Sequence, residues 1–90
     1  MALRPYQLSI YNAVCQKHDW GGSNVVVRND GDITSVTYYG NKIAEVNHKT
    51  KTATLDNCGY FNASTTARMN AVKIACDDLH YKVTTIEHER

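Results

Sequence analysis

The sequence lacks a long apolar run, a large net charge and a regular cysteine pattern, and each absence excludes a class of protein. No stretch of the 90 residues approaches the length that crosses a bilayer, and the N-terminus lacks the apolar core of a secretory signal. Ten basic against nine acidic residues give a formal net charge of +1, which argues against a strongly basic nucleic-acid binder. We therefore expect a soluble cytoplasmic protein that does not contact a membrane.

Three cysteines, Cys15, Cys58 and Cys76, are too few and too widely spaced for a secreted disulfide framework, so we expect reduced thiols. Cys15 with His18, and Cys76 with His80, have spacings that could put four zinc ligands at the ends of two helices. Neither spacing is that of a standard zinc finger or ribbon, and nothing in the sequence brings the pairs together. Partly buried thiols and surface histidines are the preferred interpretation, and we expect no cofactor and no metal.

Turn-forming residues divide the middle of the chain into short β-rich runs, with a helical pattern on either side. The pattern predicts one α+β domain over residues 1–90, a four-stranded antiparallel β-meander flanked by an N-terminal and a C-terminal helix on one face. The predicted ranges are 4–18 for helix one, 19–24 for a hinge, 25–28, 33–39, 42–46 and 51–55 for the strands, about 64–79 for helix two, and 81–86 for a short C-terminal edge strand.

Apolar stripes predict which helix faces cover the sheet. In helix one the stripe consists of Leu8, Tyr11, Ala13, Val14 and Cys15. In helix two, with Ser64 or Thr65 as its N-cap, the stripe consists of Met69, Val72, Ala75, Cys76 and Leu79. The alternation within 33–39 leaves open which of Tyr38 and Tyr39 faces solvent.

Two functional classes receive little support from the residues. Cys58, beside Gly59, is the thiol best placed in a loop for nucleophilic catalysis, but no orienting third group can be assigned, so we expect no enzyme. The predicted element order is similar to that of the double-stranded RNA-binding domain, although only Arg68 is basic where that family has lysines. A small nucleic-acid-binding module remains the alternative function, and its candidate residues are Arg28, Lys42, Lys51 and Arg68.

The run from residue 36 to 70 resembles a pattern in small proteins of tailed bacteriophages. The motifs that carry the resemblance are Tyr39-Gly40, Ile43-Ala44, Gly59-Tyr60 and Thr65-Thr66-Ala67-Arg68-Met69-Asn70. The resemblance implies a phage origin, and with it the host cytoplasm, and supplies no catalytic residue. Those relatives are mostly uncharacterised.

Arginine and aromatic side chains dominate protein interfaces, which makes this segment a candidate binding surface. The candidate partner-binding residues are Tyr60, Phe61, Arg68, Asn70, Tyr38 and Tyr39. Our hypothesis is a non-enzymatic protein that binds and inhibits a host protein or defence complex, for example as an anti-CRISPR factor. An exposed edge strand, either 25–28 or 81–86, would also allow a homodimer.

Overall fold

The computed structural model describes residues 3–22, 24–59 and 63–86, and it has two helices and six strands there. The elements are α1 (Pro5–Gln16), β1 (Trp20–Gly22), β2 (Val25–Asp30), β3 (Ile33–Tyr38), β4 (Asn41–Asn47), β5 (Thr52–Asp56), α2 (Ala63–Asp78) and β6 (Lys82–Ile86). The strands form one sheet in the order β1-β2-β3-β4-β5-β6. The predicted α+β class is confirmed, whereas the predicted number of strands is too low.

The additional strand, β1, lies in the segment that the sequence predicted to be a hinge. Trp20–Gly22 pairs antiparallel with β2, and Trp20 stands opposite Val27. A Cβ atom at Gly22 would lie 3.0 Å from the Trp20 ring, so the absence of a side chain makes room for the indole. Because β1 covers one side of β2, the segment 25–28 is an interior strand, and the prediction that it could be a free edge is wrong.

At the other end of the sheet, β6 confirms the predicted C-terminal strand. It pairs with β5 in parallel, with Thr54 opposite Thr84. Parallel neighbours need a crossover connection, and α2 supplies it between β5 and β6. The sheet is therefore mixed, whereas the sequence predicted an antiparallel meander.

Both helices pack on one face of the sheet, as predicted. The strands contribute alternate residues to the core, among them Val27, Val36 and Val46, all fully buried. In α2 the predicted apolar stripe is buried at Met69, Val72, Ala75 and Cys76, whereas Leu79, which follows the last residue of the helix, is half-buried.

In α1 the buried face differs from the predicted stripe at two residues, since it includes Ile10 and excludes Leu8. Ile10, Ala13 and Val14 are fully buried, whereas Leu8 is 47% exposed. Residues two positions apart on a helix point about 200° from one another, so a buried Ile10 turns Leu8 outward.

The start of α2 also differs from the prediction. The helix begins at Ala63, so Ser64 and Thr65 lie inside its first turn and neither is the N-cap. Thr65 is almost fully buried there, at 2% exposure. Over the described ranges, neither helix combines the length and the apolar character that spanning a membrane requires.

Candidate functional site

The β3–β4 hairpin presents the most exposed large apolar side chain of the described chain. Tyr38 pairs with Asn41, so the loop consists of Tyr39 and Gly40 alone. Both loop residues have positive φ, 50° at Tyr39 and 79° at Gly40, as a type I′ turn requires. Glycine and asparagine adopt this conformation readily, whereas tyrosine does so at a cost. The Tyr39 side chain is nevertheless 66% exposed.

Behind the hairpin tip, Arg68 of α2 is held between two aromatic rings. Its guanidinium carbon lies 4.5 Å from the centroid of the Tyr6 ring and 4.4 Å from that of Tyr38. Its Nη1 donates a hydrogen bond to the carbonyl of Ser64 at 2.9 Å. Its Nε is buried and has no hydrogen-bond acceptor within the described residues. Arg68 thus joins α2 to α1 and to β3.

The hairpin tip is oriented by further contacts. The Tyr38 and Tyr39 ring centroids are 4.7 Å apart, and the ring planes are tilted by 55°. Asn24 donates a hydrogen bond from its Nδ2 to the Tyr39 hydroxyl at 2.9 Å, and its carbonyl accepts one from the Tyr39 amide at 3.0 Å. We refer to Tyr6, Asn24, Tyr38, Tyr39 and Arg68 together as the Tyr39 surface.

The structure brings together three of the residues that the sequence selected for partner binding, namely Tyr38, Tyr39 and Arg68. Asn70 is exposed on α2, but it is two residues beyond Arg68 and therefore lies about 200° away around the helix. Tyr60 and Phe61 lie outside the described residues. Tyr6 and Asn24 were missed, because both are distant in sequence from the motif that they contact.

The four residues of the nucleic-acid alternative do not form one patch. Arg28 and Lys42 are exposed and lie on the open face of the sheet, since Arg28 follows the buried Val27 and Lys42 pairs with Thr37, the residue after the buried Val36. The Lys42 Nζ forms an ion pair with Glu45 at 3.0 Å. Lys51 lies in the turn between β4 and β5, with φ of 60°, and Arg68 lies on the helix side of the sheet.

The thiols show no sign of activation. Cys58 donates a hydrogen bond from Sγ to the Lys42 carbonyl at 3.2 Å, and burial together with Asp56 raises its pKa. Burial also raises the pKa of Cys15, and that of Cys76 to about 11. Within the described part of the chain, no three or more Cys, His, Asp or Glu side chains are grouped as metal ligands would be.

A chain of polar contacts that the sequence did not indicate runs across the helix side of the sheet. Asp19 Oδ1 accepts hydrogen bonds from the Asn29 backbone N–H at 2.7 Å and from its Nδ2 at 3.3 Å. The Thr34 hydroxyl donates to Asn29 Oδ1 at 2.5 Å and lies 2.8 Å from His48 Nε2. His48 Nδ1 lies 3.0 Å from the Tyr81 hydroxyl.

These contacts assign the tautomer of His48. A threonine hydroxyl carries one proton, and Thr34 donates it to Asn29, so Thr34 must accept a hydrogen bond from His48 Nε2–H. The other ring nitrogen, Nδ1, then accepts the Tyr81 hydroxyl proton. Burial lowers the pKa of His48, and nearby Lys17 lowers it further, although Asp32 opposes the shift. The network therefore contains a neutral imidazole.

Most of the chain matches a protein-family model. The family model described as Kyanoviridae Gp96 protein matches residues 3–89. Neither the curated proteins nor the solved structures contain a match to the chain.

Proposed function

This chain belongs to the Kyanoviridae Gp96 protein family and is therefore a phage protein, and we propose that it acts as a non-enzymatic inhibitor that binds a host protein. The target would be a component of host physiology or of an antiviral defence system such as CRISPR, met in the cytoplasm of the infected cell. The Tyr39 surface would form the centre of the interface. The conformation of Tyr39 is the observation that carries this proposal.

Tyr39 is costly for the isolated protein in two ways. A left-handed backbone costs a residue with a side chain roughly 1–2 kcal/mol, and an aromatic ring that is 66% exposed gains little from burial. The hydroxyl does form one hydrogen bond, to Asn24, but a single exposed bond contributes about 1 kcal/mol at most. The stability of the fold therefore does not explain a tyrosine at this exposed tip. A partner that covers the Tyr39 ring would explain it.

The neighbours of Tyr39 are suited to such an interface. Tyrosine and arginine are enriched among the residues that contribute most to binding, and they do so best when their conformations are fixed beforehand. Arg68 is fixed by the Tyr6 and Tyr38 rings, and Tyr39 by its contacts with Tyr38 and Asn24. Little side-chain entropy would be lost when a partner docks.

The substitution Tyr39→Asn tests the proposal, because it should move stability and binding in opposite directions. An Asn-Gly pair is the preferred sequence of a type I′ hairpin, so the free energy of unfolding should rise by about 0.5–1 kcal/mol. Binding to the partner should fall by at least about tenfold. Affinity purification from nuclease-treated host lysate, followed by titration of the recovered protein, measures binding, and urea denaturation measures stability.

Lys51→Asn is the matched control. Lys51 also has a left-handed backbone, with φ of 60°, but lies in the β4–β5 turn and not on the Tyr39 surface. The Lys51→Asn variant should also gain stability, because asparagine adopts a left-handed backbone more readily than lysine does, and it should bind the partner as tightly as the wild type. Undiminished binding by Tyr39→Asn, or an equal loss in both variants, would contradict the proposal. Recovery of partners that disappear with nuclease would favour nucleic-acid binding instead.

A further inference from the structure

The solvent side of the helix layer contains an apolar groove that the proposed function does not use. It has a volume of about 440 Å³ and is lined by Leu3, Leu8, Tyr11, Ile74 and Asp78. Leu8, at 47% exposure, is an exposed large apolar residue of α1. We refer to this surface, together with Arg4 and Asp77 at its ends, as the helix face.

Both helices run in the same general direction along this face. Near their starts, Gln7 Nε2 donates a hydrogen bond to the Ala67 carbonyl at 2.8 Å. Farther along, the Tyr11 hydroxyl donates to Asp78 Oδ2 at 2.5 Å, at the end of α2. The two amino-terminal ends therefore lie at one end of the helix face, and the carboxyl-terminal end of α2 lies at the other.

Three charged residues at the two ends have the unfavourable sign for the helix that carries them, whereas Lys17, the C-cap of α1, has the favourable sign and forms an ion pair with Asp32. A helix dipole favours acidic side chains at the amino-terminal end and basic side chains at the carboxyl-terminal end. Here Arg4 precedes the first turn of α1, and Asp77 and Asp78 are the last two residues of α2. Neither helix has an acidic residue in its first turn or a basic one in its last turn.

We propose that the helix face is the interface of a homodimer in which the helices of a second copy lie antiparallel to those of the first. A twofold axis through the groove places the Arg4 end of each copy against the Asp77 and Asp78 end of the other. The opposed side-chain charges and the opposed helix dipoles are then both compensated. Leu8 and Ile74 meet near the axis, where their apolar surfaces are removed from water.

This proposal is independent of the proposed function, because it rests on different residues. Its first test is analytical ultracentrifugation of the wild type over a range of concentrations, together with Leu8→Glu and Val26→Glu. Both substitutions place a carboxylate at an exposed apolar position, since Val26 is 39% exposed on the opposite, open sheet face. Leu8→Glu should weaken self-association by at least tenfold, and Val26→Glu should leave it unchanged. Circular dichroism melting verifies that both variants fold.

The second test uses charge reversal, which identifies the partner as a second copy in antiparallel orientation. Arg4→Glu alone places two acidic ends together, and Asp77→Lys alone leaves Arg4 facing an end whose remaining Asp78 is balanced by the new lysine, so each should associate more weakly than the wild type. An equimolar mixture of the two variants should associate better than either variant alone, because one end-to-end contact is then that of the wild type and the other joins the introduced carboxylate to the introduced ammonium group.

Three results would overturn the proposal. The first is a wild type that stays monomeric at every concentration, which would leave the groove for a different partner. The second is a dimer that Leu8→Glu does not weaken, which would point to the β6 edge. The third is a mixture of the charge variants that associates no better than either variant alone.

Discussion

At the scale of single residues, His48 links the stability of the fold to pH. The pKa of this half-buried, neutral imidazole is lowered, chiefly by burial and secondly by Lys17. The unfolded chain therefore binds a proton more readily than the folded protein does. The stability that His48 contributes is complete above its ordinary pKa of 6.5 and is lost as the pH falls through the lower pKa of the folded state.

We accordingly expect the free energy of unfolding to decrease between about pH 7.5 and about pH 5. Urea denaturation at a series of pH values measures this slope. A protonated His48 would have to donate from Nδ1 to Tyr81, whose hydroxyl proton now occupies that contact, so the network must rearrange. His48→Gln cannot titrate and should lose most of the slope. An equal slope in wild type and variant would refute the assignment.

At the scale of elements, Arg68 connects α1, α2 and β3 through its two ring contacts. Lysine has a compact ammonium group that cannot stack as a planar guanidinium does. We expect Arg68→Lys to lower the free energy of unfolding by about 1–2 kcal/mol. A double-mutant cycle with Tyr6→Leu should give a coupling energy of about 0.5–1 kcal/mol, measured by denaturant unfolding.

The control for this cycle is Arg28→Lys. Arg28 is exposed on the open sheet face and stacks on no aromatic ring of the described chain, so its replacement should change stability by less than about 0.5 kcal/mol. If Arg68→Lys proves equally mild, or if the Tyr6 and Arg68 substitutions are additive, the stacked guanidinium does not hold the three elements together.

The elements also show what a sequence can predict. The strands β2 to β5 were predictable because turn residues separate short β-branched runs, and α2 because its apolar residues recur at helical spacing. The strand β1 was not predictable, because Gly21 and Gly22 by themselves indicate a turn. They form a strand because they pair with β2 and because the Trp20 ring packs against Gly22. The parallel direction of β6 depends on its long-range partner, which a local pattern does not contain.

The same limit applies to the candidate site. The residue types at Tyr38, Tyr39 and Arg68 were selected from their motif, because tyrosine and arginine are typical of interfaces. The left-handed backbone of Tyr39 and the contact of Arg68 with Tyr6 arise only from the three-dimensional arrangement. The polar network around His48 joins five short segments, so no spacing in the sequence indicates it.

At the scale of the whole molecule, the helices cover one face of the sheet and leave the other face open, and the charges of the open face bear on whether it binds a nucleic acid. The basic residues of this face are Arg28, Lys42 and Lys82, and the acidic ones are Asp30, Glu45 and Asp56. Both signs are interspersed, and Lys42 is already paired with Glu45. Basic side chains bind a nucleic acid by neutralising its phosphates, which releases the counterions that surround it. The open face has no surplus of basic over acidic side chains for this purpose.

We therefore expect no measurable binding of single-stranded DNA or RNA oligonucleotides at physiological salt, as monitored by fluorescence anisotropy. At low salt, any residual binding should be weak and should disappear steeply as salt is added, because it would rest on non-specific charge alone. Glu45→Gln, which releases Lys42 from its ion pair, is the informative variant and should strengthen only this residual binding. Tight binding at physiological salt that Arg28→Ala and Lys42→Ala abolish would instead establish the sheet face as a nucleic-acid site and would displace the protein-inhibitor proposal.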